Sequence, residues 1–336
     1  MADPVADDAP VIVVGAGPVG LFAALALRAH RVPVVLLEAD PSDRHRAGSR
    51  ALYVHGKSLT LLESTSPGLG SELAANGVLW NVRRTLYRGK QVYAREFPPH
   101  DATRGLPPFT SLRQSETERV LLHACEQAGV DVRWNHPVTE VVTHADGVTV
   151  ATADGATWSG SHVVGADGAR STVRKCTGTS LDGAAAEGFH VVVDVADETQ
   201  RLERVMHYEH PGADGRGVLV VPYTNGFQVD VQSRAGDDPD VIASRREVRR
   251  WLPELVGPTP SERITAISVY RFLQLIADDF TDPHHRILLA GEAAHLFPPF
   301  GARGMNSGFV DARAAADAIA TGRRSPAANA EAVPRS

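Results

Sequence analysis

Residues 11–40 read VIVVGAGPVGLFAALALRAHRVPVVLLEAD. Val11 to Val14 make a short apolar β run, Gly15, Gly17 and Gly20 form GxGxxG, and an Ala/Leu-rich helical pattern continues to Arg31. A second apolar run, Val32 to Leu37, ends at Glu38. Strand, glycines, helix, strand and acid in that order predict a βαβ unit that binds a dinucleotide. The three glycines divide three tasks: a tight turn, close backbone approach to a pyrophosphate, and close packing of helix on strand. The helix start offers free N–H groups and a positive dipole end to the phosphates. Glu38 follows Gly20 by 18 residues, near the spacing for a carboxylate that accepts hydrogen bonds from a ribose diol. The motif does not distinguish FAD from NAD.

The whole chain, 336 residues with 43% hydrophobic and 22% charged residues, has the balance of a soluble globular protein of two domains. A net charge of -6 argues against a nucleic-acid partner, which needs a basic face. The first ten residues, MADPVADDAP, contain no apolar segment of the secretory type, and no uncharged run approaches the roughly 20 residues of a membrane span. Cys125 and Cys176 have no metal or redox spacing, so a reduced, cytoplasmic protein is expected, with Cys125 a small buried hydrophobe. His284 and His285 follow Pro283 and read as a solvated turn.

After Glu38 the segment ADPSDRHRAGSR is turn-rich, and SRALYVHGKSLTLLES resumes a helical pattern. Arg50 beside a nucleotide would neutralise pyrophosphate charge or orient a ring. Residues 76–108 alternate like antiparallel strands and then loop. In SLRQSETERVLLHACEQAG, Ser115 is a helix N-cap and Glu118 completes a capping box. Short strands with DG turns lead to HVVGADGARSTVRK, residues 162–175. Here Gly165, Asp167 and Gly168 close a strand, and Arg170, Ser171 and Arg174 follow. The acid suits a ribityl or ribose hydroxyl and the arginines a phosphate; the plain alternative is a capped helix with solvated arginines. Residues 181–265 read as a mainly antiparallel sheet with one helix near Ser244 to Leu252. In RILLAGEAAHLFPPFGARGMNSGFVDARAAADAIA, residues 286–320, a buried strand ends at Gly291 and Glu292, and a helix begins near Asn306 or Ser307. The loop between them offers backbone N–H donors to a developing anion. Residues 321–336 are small, polar and aperiodic, and read as disordered.

With these three stretches in order, residues 10–320 resemble the FAD-dependent monooxygenases of the para-hydroxybenzoate hydroxylase type, the class A flavoprotein aromatic hydroxylases. The resemblance implies an α/β (α+β mixed) fold: a Rossmann-like FAD-binding domain of the glutathione-reductase type, with an inserted, mainly antiparallel substrate domain. It places the FAD domain in 1–75, 109–180 and 266–320, the substrate domain in 76–108 and 181–265, and a disordered tail in 321–336. GAGPVG with Glu38 looks like the FAD-adenosine site, and GADGARSTVR like the motif that sets Asp167 and Gly168 near the flavin nucleotide and the transient approach of NADPH or NADH. AGEAAHLFPPFGARGMNSGFVDA is similar to the family's GD motif, which implies Glu292 near the ribityl or ribose hydroxyls and Pro298 beside the isoalloxazine ring. Gly301, Gly304, Met305 and Asn306 then fall at the pyrimidine end, and Arg50 and Gln114 where the family contacts the flavin.

Three departures stand out: Glu292 replaces an aspartate, Ala302 interrupts a pair of glycines, and the family continues past the last helix where this chain stops at Ser336. The implied reaction takes electrons from NAD(P)H to FAD, then passes one atom of O2 through a flavin C4a-hydroperoxide to an aromatic, phenolic or polyketide-like molecule. No catalytic base is legible. Tyr223, Gln228 and Arg271 are pocket candidates on strands, and His55 and His295 read as packing residues. The VPYTNGFQVDVQ strand holds no substrate-anchoring arginine, which favours a larger apolar aromatic over a simple benzoate. Rival readings are an epoxidase, Baeyer–Villiger oxygenase, prenyl reductase or halogenase on the same fold, and a non-catalytic FAD- or ligand-binding homologue. Expected partners are the aromatic substrate, O2 and NAD(P)H, with no nucleic acid or membrane, in a monomer or homodimer.

Overall fold

In the computed structural model, residues 9–185, 188–271, 273–298 and 301–324 are described. Strand β1 (Val11–Val14), helix α1 (Pro18–Ala29) and strand β2 (Val34–Leu37) form the first unit. Helix α1 starts with Pro18, whose fixed φ and missing N–H suit a first turn. Every residue from Gly20 to Leu27 is buried, so the helix is apolar all round because it is covered all round.

Strand β3 (Tyr53–His55), α2 (Gly56–Thr65) and α3 (Leu69–Asn76) follow, then the hairpin β4 (Val82–Tyr87) and β5 (Lys90–Glu96). Next come β6 (Phe109–Ser111), α4 (Gln114–Gln127) and β7 (Asp131–Arg133). An antiparallel meander of β8 (Val138–Thr143), β9 (Val148–Thr152) and β10 (Thr157–Gly160) leads to β11 (His162–Gly165) and α5 (Thr172–Thr177). The chain then forms β12 (Leu181–Ala185), β13 (His190–Ala196), β14 (Glu203–His210), β15 (Arg216–Tyr223) and β16 (Gly226–Gln232). It continues through α6 (Pro239–Ile242), α7 (Arg245–Val256), β17 (Ile264–Tyr270), β18 (Leu273–Ala277), β19 (Ile287–Leu289), β20 (His295–Leu296) and α8 (Arg303–Arg324).

Two sheets organise this mixed α/β chain. The first is parallel, in the order β19-β11-β1-β2-β7. Val11 and Val13 of β1 pack with α1, α4 and α8, whereas Ile12 and Val14 pack with the meander and Val173 of α5. Both faces are covered, which is why the strand reads as an unbroken apolar run. The second sheet has the order β17-β13-β16-β15-β14-β4-β5. Val191, Val193, Val195, Val229 and Val231 turn one face onto Val248 and Leu252 of α7. The alternating residues, Asp194 and Gln228 among them, turn toward the segment between β2 and β3, where Ser49 touches both.

Several sequence expectations are corrected. The stretch from Tyr53 to His55 is a strand paired with Phe109–Ser111, and the helix begins only at Gly56, whose N–H is taken by the Pro108 carbonyl at 2.8 Å. Helix α4 is capped at Arg113, so Ser115 lies inside its first turn and no capping box forms; Glu118 is drawn instead to Arg44 and Arg46. Helix α8 begins at Arg303 rather than Asn306, and it carries residues 321–324 of the supposed tail; residues 325–336 lie outside the described ones. Strand β17 extends the second sheet past residue 265, and Arg271 sits just beyond it, exposed and off the strand. Cys125 is fully buried, and burial pushes its thiol pKa up to about 12. No helix among the described residues is long and apolar enough to cross a membrane.

Candidate cofactor and substrate site

The parallel order β19-β11-β1 sets three strand ends side by side, and each runs into one of the three motif stretches. Their glycines explain how closely these ends meet. Gly15 has φ +100, and a Cβ there would lie 2.6 Å from the Ala166 carbonyl oxygen. A Cβ on Gly20 would lie 1.8 Å from the Gly15 carbonyl oxygen, so only glycine lets α1 sit on β1. Gly17 is different: it has ordinary extended backbone, and a Cβ there would meet nothing within 4 Å. It faces open space at the N-terminus of α1, which has no side-chain cap and no acid in its first turn. Gly308 of α8 holds the third stretch against the first, since a Cβ there would be 2.4 Å from Val19.

Glu38 closes β2, 5% exposed, with Oε2 accepting the Ala16 N–H at 2.5 Å and Oε1 the Asp40 N–H at 3.0 Å. Arg44 lies 2.7 Å from Glu38 and also donates to the Ala16 carbonyl, while Arg46 reaches Glu118 and Asp40. The carboxylate stands at the glycine turn, but the chain's own arginines cover it. Asp167 is likewise engaged: it accepts from Ser171 Oγ at 2.5 Å and from the N–H groups of Thr172 and Val173. Arg174 is buried and donates to the carbonyls of Ala293 and Ala169, tying the second stretch to the third. The capped-helix alternative therefore describes Asp167 and Ser171, whereas Arg174 is structural rather than solvated; Arg170 is exposed. Gly168, at φ +79, has open space where a side chain would be.

Glu292 is exposed to water, although protein crowds its carboxyl. Crowding pushes its pKa up, against the pull of Arg50 and His295. Arg50 is exposed and left-handed at φ 54, in a segment held by its neighbours: Gln114 N–H donates to the Ser49 carbonyl, and the Gln114 side chain accepts from Ala51 and donates to Glu118. Gln114 thus positions the Arg50 segment instead of presenting its amide outward. Asn306 is also a brace, accepting from His55 N–H and Ser58 Oγ and donating to the Tyr53 and Ala302 carbonyls. Gly301 and Ala302 are both left-handed, at φ 84 and 52; Gly304 has open space beside it, and Met305 belongs to the core. Pro298 is half-buried at the edge of the described segment. His295 is held by Asp311 of α8 at 2.6 Å, and His55 contacts the Gly301 carbonyl at 2.9 Å.

On the second sheet, Tyr223 and Gln228 lie near the buried Asp194. Asp194 accepts the Ser49 N–H at 2.8 Å and Gln228 donates to Ser49 Oγ at 2.6 Å. Burial pushes the Asp194 carboxyl pKa up, and the Tyr223 phenol is pushed up by burial and by Asp194. Arg271 is not brought to this cluster by any contact among the described residues. Arg44, Glu118, Ser49 and Asp194 were not singled out as site residues from sequence. The only local signal was three arginines in ADPSDRHRAGSR, just after an acid-terminated strand.

An open cradle at Gly17, an uncapped helix start and a carboxylate beside it fit the diphosphate and ribose of a dinucleotide. The fold and this convergence fit a dinucleotide-binding protein. The sequence pattern described as "FAD binding domain" matches residues 8–330, and the chain belongs to that family, as a member of its para-hydroxybenzoate hydroxylase type. It is 31% identical over 333 residues to para-nitrophenol 4-monooxygenase of Pseudomonas sp. (strain WBC-3), covering 92% of this chain and 77% of that one. It is 28% identical over 317 residues to rifampicin monooxygenase of Rhodococcus hoagii, covering 90% of this chain but 62% of the relative's length. The crystal structure of p-nitrophenol 4-monooxygenase from Pseudomonas putida DLL-E4 is similar with a TM-score of 0.81 and 26% identity, over 95% of this chain and 81% of that one.

Proposed function

We propose that this chain is a monooxygenase that uses FAD and NADPH or NADH to insert one atom of O2 into an aromatic small molecule, phenolic or polyketide-like. The observation that carries this reading is the meeting of three motif stretches around the open space at Gly17. Bound FAD supplies the redox chemistry, accepting two electrons from the nicotinamide and activating O2, whose second atom leaves as water. The chain's own work is binding and electrostatics. Gly15, Gly17 and Gly20 with the start of α1 take the pyrophosphate, and Glu38 takes the adenosine ribose once Arg44 gives way. Asp167 and Gly168 shape the middle of the cofactor groove, with Asp167 acting through the α5 start that it caps. Glu292 and Arg50 face the ribityl chain and ring, and the N–H groups from Gly301 to Asn306 stabilise negative charge at the pyrimidine end. The face of the second sheet around Tyr223 and Gln228 closes over the substrate and excludes water.

The same reading makes the parallel layer a Rossmann-like domain of the glutathione-reductase type and the second sheet the substrate domain, in a cytoplasmic monomer or homodimer. Its relatives' names, para-nitrophenol and rifampicin monooxygenases, support a ring substrate of either small or large size. The test is oxygen uptake by the FAD-loaded protein with NADPH or NADH, over a panel of phenols. Stimulation by a phenol with matching product formation supports the reading; NAD(P)H oxidation that no aromatic alters contradicts it.

A further inference from the structure

Arg50 stands in a backbone conformation that arginine seldom takes. Its φ of 54 is left-handed, and Gly48, two residues earlier, is left-handed as well at φ 82. A residue other than glycine keeps such a turn only where its surroundings fix it from several sides. Here the fixing comes from two separate layers. Beside the first sheet, Gln114 of α4 donates its N–H to the Ser49 carbonyl at 3.0 Å and accepts the Ala51 N–H at 3.4 Å. From the second sheet, Asp194 of β13 accepts the Ser49 N–H at 2.8 Å, and Gln228 of β16 donates to Ser49 Oγ at 2.6 Å. The turn lies directly on that second sheet, since a Cβ on Gly48 would be 3.3 Å from Ser268 Oγ and 3.5 Å from Asp194 Oδ2.

Asp194 is the unusual member of this set. It is 3% exposed, and a carboxylate so deeply buried is ordinarily paired with a cation. Among the described residues Arg113 pulls on it without coming to ion-pair distance, and its hydrogen bond goes to a backbone N–H beside Arg50. Ser49, which it holds, is buried, whereas Arg50 is exposed and its charge acts on the carboxyl of Glu292 in the third motif stretch. One residue of the turn is thus anchored in the second sheet while the next faces the third stretch.

We infer that Asp194 is a positioning residue for the cofactor site: through the Ser49 N–H it fixes the turn that presents Arg50 toward Glu292, so that the second sheet sets how tightly the cofactor is held. This rests on the proposed reading in which Arg50 and Glu292 face FAD. Asp194 then influences FAD only by way of Arg50, which separates this role from that of a general brace.

The experiment is FAD titration of the parent, Asp194→Ala, Arg50→Gln and the double variant, beside amide hydrogen exchange of the FAD-free proteins over residues 47–52. Arg50→Gln is expected to weaken FAD binding roughly tenfold, and Asp194→Ala by about fivefold to tenfold. The double variant is expected to stay within about twofold of Arg50→Gln, because both changes remove the same contact. Asp194→Asn keeps an oxygen that accepts the Ser49 N–H, and is expected to bind FAD within about threefold of the parent. Exchange at residues 48–51 is expected to be about tenfold faster in Asp194→Ala and close to the parent in Asp194→Asn. Parent-like FAD binding by Arg50→Gln or Asp194→Ala, losses that multiply in the double variant, or an Asp194→Asn as weak as Asp194→Ala overturns the proposal. If Asp194→Ala does not fold, Asp194→Asn and the parent still decide: a tenfold loss in the former, or a freely exchanging Ser49 amide in the latter, overturns it. A parent that takes up no FAD strikes the monooxygenase reading, and the exchange rates then support or overturn by themselves the hold of Asp194 on the turn.

Discussion

Two alanine substitutions three residues apart should separate folding from cofactor binding. At Gly20 a Cβ would lie 1.8 Å from the Gly15 carbonyl oxygen, 1.2 Å inside the 3.0 Å that real Cβ contacts respect. The obstacle is backbone, and α1 cannot retreat because α4 and α8 pack behind it. Overpacking of this size costs at least ~3 kcal/mol, against the ~1 kcal/mol that alanine gains over glycine inside a helix. Gly20→Ala should therefore lose about 2 kcal/mol or more. At Gly17 the new methyl meets nothing, and φ -71 with ψ 175 is open to alanine, so stability should stay within about 1 kcal/mol of the parent. That methyl would project into the space proposed for the pyrophosphate. Losing one or two charge-assisted hydrogen bonds there, about 1.5–3 kcal/mol, should weaken FAD binding roughly 10- to 100-fold. Urea unfolding of the FAD-free variants gives the first quantity and FAD titration the second. The reasoning is refuted if Gly17→Ala unfolds as easily as Gly20→Ala, or if it binds FAD like the parent.

Asn306→Asp should destabilise more than Asn306→Ala, by about 1 kcal/mol or more beyond it, because a carboxylate would face the Tyr53 and Ala302 carbonyls; thermal melts would show it, and equal stability of Asp and Asn speaks against the brace. Ala302→Gly should raise stability by up to ~1 kcal/mol by relieving a left-handed alanine at φ 52, and an unchanged or lower urea midpoint contradicts this. His210 and His207 each accept a backbone N–H, from Gly212 and Gly89, and their rings lie 4.1 Å apart. Burial and His207 lower the His210 pKa from 6.5 to about 4, and burial lowers that of His207. Their folded pKa values are depressed, so the stability they confer is present above pH 6.5 and is lost as pH falls toward 4. A urea series from pH 7.5 to 4.5 should show that loss in the parent and a smaller one in a His207→Gln, His210→Gln double variant; parallel curves would rule out the pair as its source.

The parallel layer was legible because each of its signals is local. Val11–Val14, the three glycines and Val34–Leu37 follow one another within one unit, and Gly15, Gly17 and Gly20 have the separate environments that their spacing implies. The boundaries that moved were set by distant partners. Tyr53–His55 is a strand because Phe109–Ser111 pairs with it, and Ser115 is no cap because the helix already starts at Gln114, whose N–H goes to the distant Ser49 carbonyl. The same cause hid the polar braces. Asn306 and Gln114 each accept a backbone N–H from a distant stretch, from His55 and Ala51, and the Asp194–Ser49 contact ties the second sheet to the segment between β2 and β3.

The visible absorption spectrum of the purified protein, before and after addition of FAD and removal of the excess, tests the central claim most directly. The expected result is oxidised-flavin bands that stay with the protein and are lost in Gly17→Ala at the same FAD concentration. A protein that stays colourless after exposure to excess FAD would contradict the cofactor site, and with it the monooxygenase reading.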